Sequence, residues 1–252
     1  MSRVLCQFSC GAASAVATKL ALAQYGERCV IVNAFIANEH PDNRRFLTDC
    51  EKWFGQPVTV LRDEKYGADV IEVFRRTRWI KGRDGASCTM RIKRGLLRTV
   101  EQPGDVLVLG FTAEEQERWE NFQEDWPDRP AIAPLIERGL TKEDCKAMVE
   151  RAGIAIPFMY RQGYDNANCI ACVKGGAGYF RAIRDDYPDE FKRLADIEQE
   201  IGPGAYILRH RSGPLAGQRF PLHELPPGTA RRNEALPACG LFCEIAEQEY
   251  AA

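Results

Sequence analysis

Short apolar runs and amphipathic segments take turns along the first half of the chain. Val4-Leu5-Cys6 is an apolar run. The small-residue turn Ser9-Cys10-Gly11-Ala12-Ala13-Ser14 follows, and then an Ala-rich amphipathic segment. That order predicts strand, tight loop, helix. Cys29 to Ile36 is a continuous β-branched run that fits a buried parallel strand. Asn38-Glu39-His40-Pro41-Asp42 breaks it with turn chemistry. Asp42 stands where it can cap a helix in which Phe46, Leu47, Cys50, Trp53 and Phe54 recur at helical spacing, with Gly55 at its end. Pro57 to Leu61 reads as a third strand and Asp69 to Trp79 as a helix presenting Val70, Val73 and Phe74 on one face. Asp105 to Gly110 reads as a fourth strand, running into Gly110-Phe111-Thr112.

This alternation predicts an α/β fold: an open, mostly parallel sheet with helices on both faces. Ligands of such sheets sit beyond the carboxyl ends of the strands. Ser9 to Ser14, Ala34 to Asn38 and Gly110 to Thr112 are then expected to share one crevice. The first loop opens directly onto a helix, whose free N–H groups and dipole favour an anion. Ser9 and Ser14 can add hydroxyl donors. The same stretch also reads as a plain strand-to-helix turn, because the glycines of dinucleotide and P-loop sites are missing.

The second half is less regular. Trp119 to Arg129 reads as a polar loop, and Thr141 as the cap of a helix reaching about Arg151. Pro157 to Gly163 reads as a loop, with further helices from about Gly178 and from Pro188 to Ile201. From Gly202 to Pro237 the chain is rich in Gly, Pro and Arg, which reads as an extended arm ending at Cys239 and Cys243. The expected division is residues 1–200 as an α/β domain and 201–252 as the arm.

The 252 residues carry a formal net charge of only -2, so no global basic field marks a nucleic-acid binder. No apolar run is long enough to span a bilayer, and Ser2-Arg3 leads straight into a strand without a signal-peptide pattern. The expected compartment is the cytoplasm, with no membrane association. Ten cysteines are many for that compartment and suggest metal or redox chemistry. Cys169 and Cys172 form a C-x-x-C, which needs two further thiolates from among Cys88, Cys239 and Cys243 to close a tetrahedral site, zinc or iron–sulfur. Arg91, Lys93, Arg94 and Arg98 surround Cys88 and suit an anion as well as a solvated helix face. Cys6, Cys29, Cys50 and Cys145 fall within strand or helix patterns and read as small core residues. Glu114, Glu115 and Arg118 suit a ribose, a metal ion or the opening of a helix. No histidine has a partner at metal-ligand spacing.

Together these motifs resemble the phosphoadenosine phosphosulfate (PAPS) reductase family. The resemblance rests on Gln7 to Val16, Asn38-Glu39-His40-Pro41, Cys88-Thr89-Met90-Arg91-Ile92-Lys93, Gly110-Phe111-Thr112, Pro134-Leu135-Ile136 and Tyr160 to Tyr164 before Cys169-Ile170-Ala171-Cys172. It covers roughly residues 3 to 180 and implies the adenine nucleotide α-hydrolase-like fold. It also implies that Ser9, Cys10, Gly11, Ala12, Ala13 and Ser14 hold a phosphate or sulfate. Ala34, Phe35, Asn38, Gly110, Phe111 and Thr112 would line an adenine nucleotide: PAPS, adenylyl sulfate or ATP. Arg91, Lys93 and Arg94 would bind the anion. Cys88, Cys169 and Cys172 match ligands of the family branch that carries a [4Fe–4S] cluster. That branch has two adjacent cysteines where this chain has Ser87 and Cys88, so the tail must supply the fourth ligand: Cys243, with Cys239 as the catalytic thiol, or the reverse. The implied reaction is thiol-dependent reduction of an adenylyl sulfate to sulfite, with a thioredoxin-like reductant as partner. ATP pyrophosphatases of the same fold carry an Asp where this chain has Ala13. An ATP-dependent sulfurtransferase acting on a nucleobase or nucleic acid is the second expectation, and a non-catalytic nucleotide-binding subunit the third.

Overall fold

The computed structural model describes residues 2–82 and 85–236. Its central sheet has five strands, all parallel, flanked by helices, as the alternation predicts. In chain order the elements begin with β1 (Val4–Gln7), α1 (Ala12–Tyr25), β2 (Cys29–Ala34), α2 (Asp42–Phe54), β3 (Thr59–Leu61) and α3 (Val70–Thr77). A small hairpin of β4 (Lys81–Gly82) and β5 (Gly85–Ala86) precedes a π-helical turn over Thr89–Arg94 and α4 (Gly95–Val100). Next come β6 (Val106–Val108), α5 (Gln116–Asp125), β7 (Ala131–Ile132), α6 (Lys142–Arg151) and α7 (Phe158–Arg161). The last elements are α8 (Ala177–Asp186), α9 (Pro188–Ile201) and a second hairpin of β8 (Leu208–Arg209) and β9 (Arg219–Phe220).

The sheet order is β3-β2-β1-β6-β7. The chain leaves β1 toward β2 and β3, then returns to the other side of β1 for β6 and β7. The order therefore reverses between β1 and β6, where open sheets bind ligands.

The chain divides into two compact units. The first comprises Met1–Phe35, Pro41–Arg62 and Gly95–Arg161; the second comprises Ile36–His40, Asp63–Arg94 and Gln162–Ala252. The first holds the parallel sheet. Its core is built from Val4, Cys6 and Phe8 of the first strand, Val16 and Ala17 of α1, Phe46 and Cys50 of α2, and Cys145 and Val149 of α6. Small alanines on α1 let that helix pack closely against the sheet and α6. In the second unit α9 lies against α3 and α8.

Several local readings need correction. Trp119 to Arg129 is not a loop throughout: α5 covers its first half, with Phe122 buried. A short helix, α7, interrupts the loop read at Pro157 to Gly163. Asp42 does not cap α2, because Pro41 holds the N-cap position. The Asp42 carboxylate instead pairs with Arg45 at 2.8 Å and accepts from the Phe158 amide at 2.8 Å. The arm after Gly202 is not extended throughout either; it contains the β8–β9 hairpin and two 3-10 turns.

Among the described residues, no helix is long and apolar enough to cross a membrane.

Candidate functional site

Strand β1 hands its chain to α1 through a loop that is tied down before any ligand arrives. Phe8 turns into the core, and Cys10 is buried with φ at 58°. A residue with a Cβ is strained by about 1 kcal/mol in that left-handed region. Gly11 is the N-cap of α1 and offers no side-chain cap, so the first-turn N–H groups are left to other partners. The Ser14 hydroxyl donates to the Gly11 carbonyl at 2.9 Å and accepts from the Ser9 amide at 3.2 Å, with the Ser9 hydroxyl 3.1 Å away.

Asn33 locks this loop from beneath. It is a buried amide in an otherwise apolar strand. Its Nδ2 donates to the Phe8 carbonyl at 2.7 Å and approaches Cys10 Sγ at 3.5 Å. Its Oδ1 accepts from Arg44 at 3.1 Å, and the same guanidinium reaches Cys10 Sγ at 3.6 Å. Arg44 also lies 5.0 Å from the centroid of Phe35, and Arg62 lies 3.8 Å from it. Phe35, at the end of β2, is therefore an aromatic platform with two cations on it. Asn33, Arg44 and Arg62 belong to none of the sequence motifs. The polar residue inside Val30-Ile31-Val32-Asn33 was the available signal for the first of them.

Across the point where strand order reverses, Gly110 at the end of β6 packs on the start of α1. A Cβ on Gly110 would lie 3.2 Å from Ser14 Cα and 3.3 Å from its amide nitrogen. Gly110, Ala13 and Ser14 thus meet backbone to backbone. Phe111 is buried, with the Arg118 guanidinium 4.7 Å from its centroid. Thr112 spends its polar groups locally: its amide donates to Glu115 Oε2 at 3.1 Å in a capping box. Arg118 pairs with Glu115, while its buried Nη2 has no hydrogen-bond partner. Of the three segments expected to share a crevice, Ser9–Ser14 and Gly110–Thr112 lie together in the first unit, with Ala34 and Phe35 on the neighbouring strand. Asn38 belongs to the second unit. There its Oδ1 accepts from the Val70 amide at 2.8 Å and its Nδ2 donates to Asp69 at 3.1 Å, fixing the start of α3.

No family model matches this chain, and no curated protein does.

The second unit carries the described cysteines of the sequence motifs. Cys88 is half-buried and precedes the π-helical turn. Its neighbour Ser87 is fully buried and donates to the Trp79 carbonyl at 2.7 Å. Cys169 pairs with Glu39 in an isolated antiparallel bridge, and the Ile170 amide donates to the Asn38 carbonyl at 2.9 Å. Ala171 has φ at 56°, so the C-x-x-C turn holds a left-handed non-glycine residue. Cys172 is buried and its amide donates to the Tyr179 hydroxyl at 2.9 Å. Burial, with Cys172 beside it, pushes the Tyr179 phenol well up. Lys93 is buried, with its ammonium 3.5 Å from the Glu39 carboxylate. Arg91 is exposed and Arg94 half-buried on the same turn. Arg98 belongs to the first unit.

Thiols are the donor type that an iron–sulfur cluster takes. Among the described residues, however, no three His, Cys, Asp or Glu side chains are grouped to hold a metal ion. Cys239 and Cys243 lie outside the described residues. Cys6, Cys29, Cys50 and Cys145 are core residues, as expected, and Cys10 is buried too: burial pushes the Cys50 thiol up, and the Cys145 thiol up to about 12.

Proposed function

We propose that the first unit binds an adenine nucleotide at the carboxyl ends of β1, β2 and β6, and that the chain reduces an adenylyl sulfate to sulfite by thiol chemistry. One observation carries the nucleotide half of this reading. The uncapped start of α1 is packed against Gly110 where the strand order reverses, which leaves backbone N–H groups for an anionic group. Arg44 and Arg62, both gathered on Phe35, bring positive charge for a phosphate.

The chemistry follows from the cysteines. A thiolate at Cys239 attacks the sulfur of the adenylyl sulfate; a sulfur–sulfur bond forms, and the bond from sulfur to the phosphate oxygen breaks. AMP leaves with that electron pair, and the protein holds an S-sulfocysteine. A thioredoxin-like dithiol then supplies two electrons, is oxidised to its disulfide, releases sulfite and restores the thiol.

AMP and adenylyl sulfate are both expected to bind in calorimetry. Sulfite release with a dithiol is expected to disappear in Cys239→Ser while nucleotide binding stays. Binding of neither nucleotide would overturn the reading at its base, and turnover by Cys239→Ser would remove that thiol. Anaerobic purification with iron and sulfide analysis tests the cluster separately, with about four irons per chain expected for a four-thiolate cubane.

A further inference from the structure

The β8–β9 hairpin places two arginines face to face. Its register pairs Leu208 with Phe220 and Arg209 with Arg219. Like charges directly opposite on a ladder destabilise it. Their guanidiniums are fixed by backbone oxygens and not by acids. Arg209 Nη1 donates to the Gly217 carbonyl at 2.7 Å, and Arg219 Nη1 donates to the Tyr206 and Gly204 carbonyls at 2.8 and 3.3 Å.

Arg181 and Arg184 of the same unit likewise donate to backbone carbonyls, those of Pro226 and Leu225, whereas others meet acids. Arg75 and Arg76 meet Glu72, Arg78 meets Glu200, Arg193 meets Asp69 and Arg232 meets Asp186. Among the described residues, Arg209, Arg211 and Arg219 pair with no carboxylate. Arg211 is exposed at the start of the connecting loop, with Nη2 3.5 Å from where a Cβ on Gly176 would sit. The acid nearest that glycine, Glu234, uses its two oxygens on the Gly176 and Tyr179 amides at 2.7 and 3.0 Å. The loop also carries Leu215, 48% exposed, next to Pro214.

We infer that this hairpin is a nucleic-acid contact surface, with Arg209, Arg211 and Arg219 on the phosphate backbone and Leu215 against the bases. Guanidiniums that meet no carboxylate are good phosphate partners, and those of Arg209 and Arg219 are also held in place. Several together favour a polyphosphate over a single ion, because each contact releases a counterion. A two-stranded ribbon is narrow enough for a groove, and a leucine at its tip suits insertion between base steps. The attraction is local, since the whole chain is at -2. None of this depends on the sulfur chemistry proposed above.

The test is fluorescence anisotropy of a labelled short DNA duplex with the full chain across a salt series. Three phosphate contacts predict a slope of log affinity against log salt of about -3. The double variant Arg209→Gln, Arg219→Gln should bind about 100-fold more weakly, with the slope shallower by about 2. Should that variant fail to fold by circular dichroism, Arg211→Gln decides alone: its side chain makes no hydrogen bond in the described structure, and its loss should flatten the slope by about 1. Leu215→Ser should weaken binding severalfold and leave the slope unchanged. A flat salt response in the parent chain, folded arginine variants that bind as tightly as the parent, or capture by anionic lipid vesicles with no duplex binding would each overturn the inference.

Discussion

Gly110 is the residue on which the candidate nucleotide site most depends, because it has no room for a side chain. Adding one methyl places it 3.2 Å from Ser14 Cα, so either the β6 end or the start of α1 must shift. Gly110→Ala is expected to cost about 1–3 kcal/mol in urea denaturation and to abolish AMP binding in calorimetry. Asn33 is the second such residue. Asn33→Ala leaves the Phe8 carbonyl without this buried donor and takes one acceptor from the half-buried Arg44. That should cost about 2–3 kcal/mol and weaken AMP binding as the loop loosens. Of these two residues, Gly110 was visible in the sequence as the end of an apolar run. Asn33 stands out there only as a polar residue inside an apolar strand, and its partners Phe8, Cys10 and Arg44 come from other elements. The buried thiols could be read from their apolar neighbours alone. The cation platform on Phe35 could not, since Arg44 and Arg62 come from α2 and the end of β3.

Helix α9 organises the second unit through one acid. Glu198 is fully buried, and its carboxylate accepts from the Ile207 amide at 2.6 Å and the Leu222 amide at 2.7 Å. It holds the chain after Gly202 by backbone groups, which is why that stretch looked structureless in sequence: its order has no side-chain periodicity. Burial pushes the Glu198 carboxyl up to about 7 from 4.5. The folded state therefore keeps a proton that the unfolded chain has lost, and stability is full below about pH 4.5 and falls as pH rises toward 7. The loss is on the order of 3 kcal/mol. Glu198→Gln should flatten the melting temperature between about pH 5 and 8. Asp42 on α2 has the opposite sign. Hydrogen bonding to Arg45 holds it down at about 2, so its stabilisation is present above 3.8 and lost as pH falls toward 2. Asp42→Asn should remove that acid limb from a pH titration of stability. Among the elements, the long apolar strands and the capped α6 were legible because their signals are local. Helix α5 was not: it buries only Arg118 and Phe122, too few positions to show a period.

At the scale of the whole chain, the two units are interleaved, and each draws on three separate segments. Local patterns identify strands and helices, but they do not show which distant stretches close into one body. A fragment ending at residue 201 would strip Glu198 of both amide donors while leaving it inside the unit. It is expected to lose protection of α8 and α9 in hydrogen exchange, while the sheet of the first unit keeps its own protected amides. The loop between β1 and α1 has a further consequence. Ser14, Asn33 and Arg44 already hold it in one shape, so a nucleotide bound there as proposed would meet a surface that needs no rearrangement. Stopped-flow traces should then be single exponentials whose rate climbs in proportion to nucleotide concentration, without a plateau.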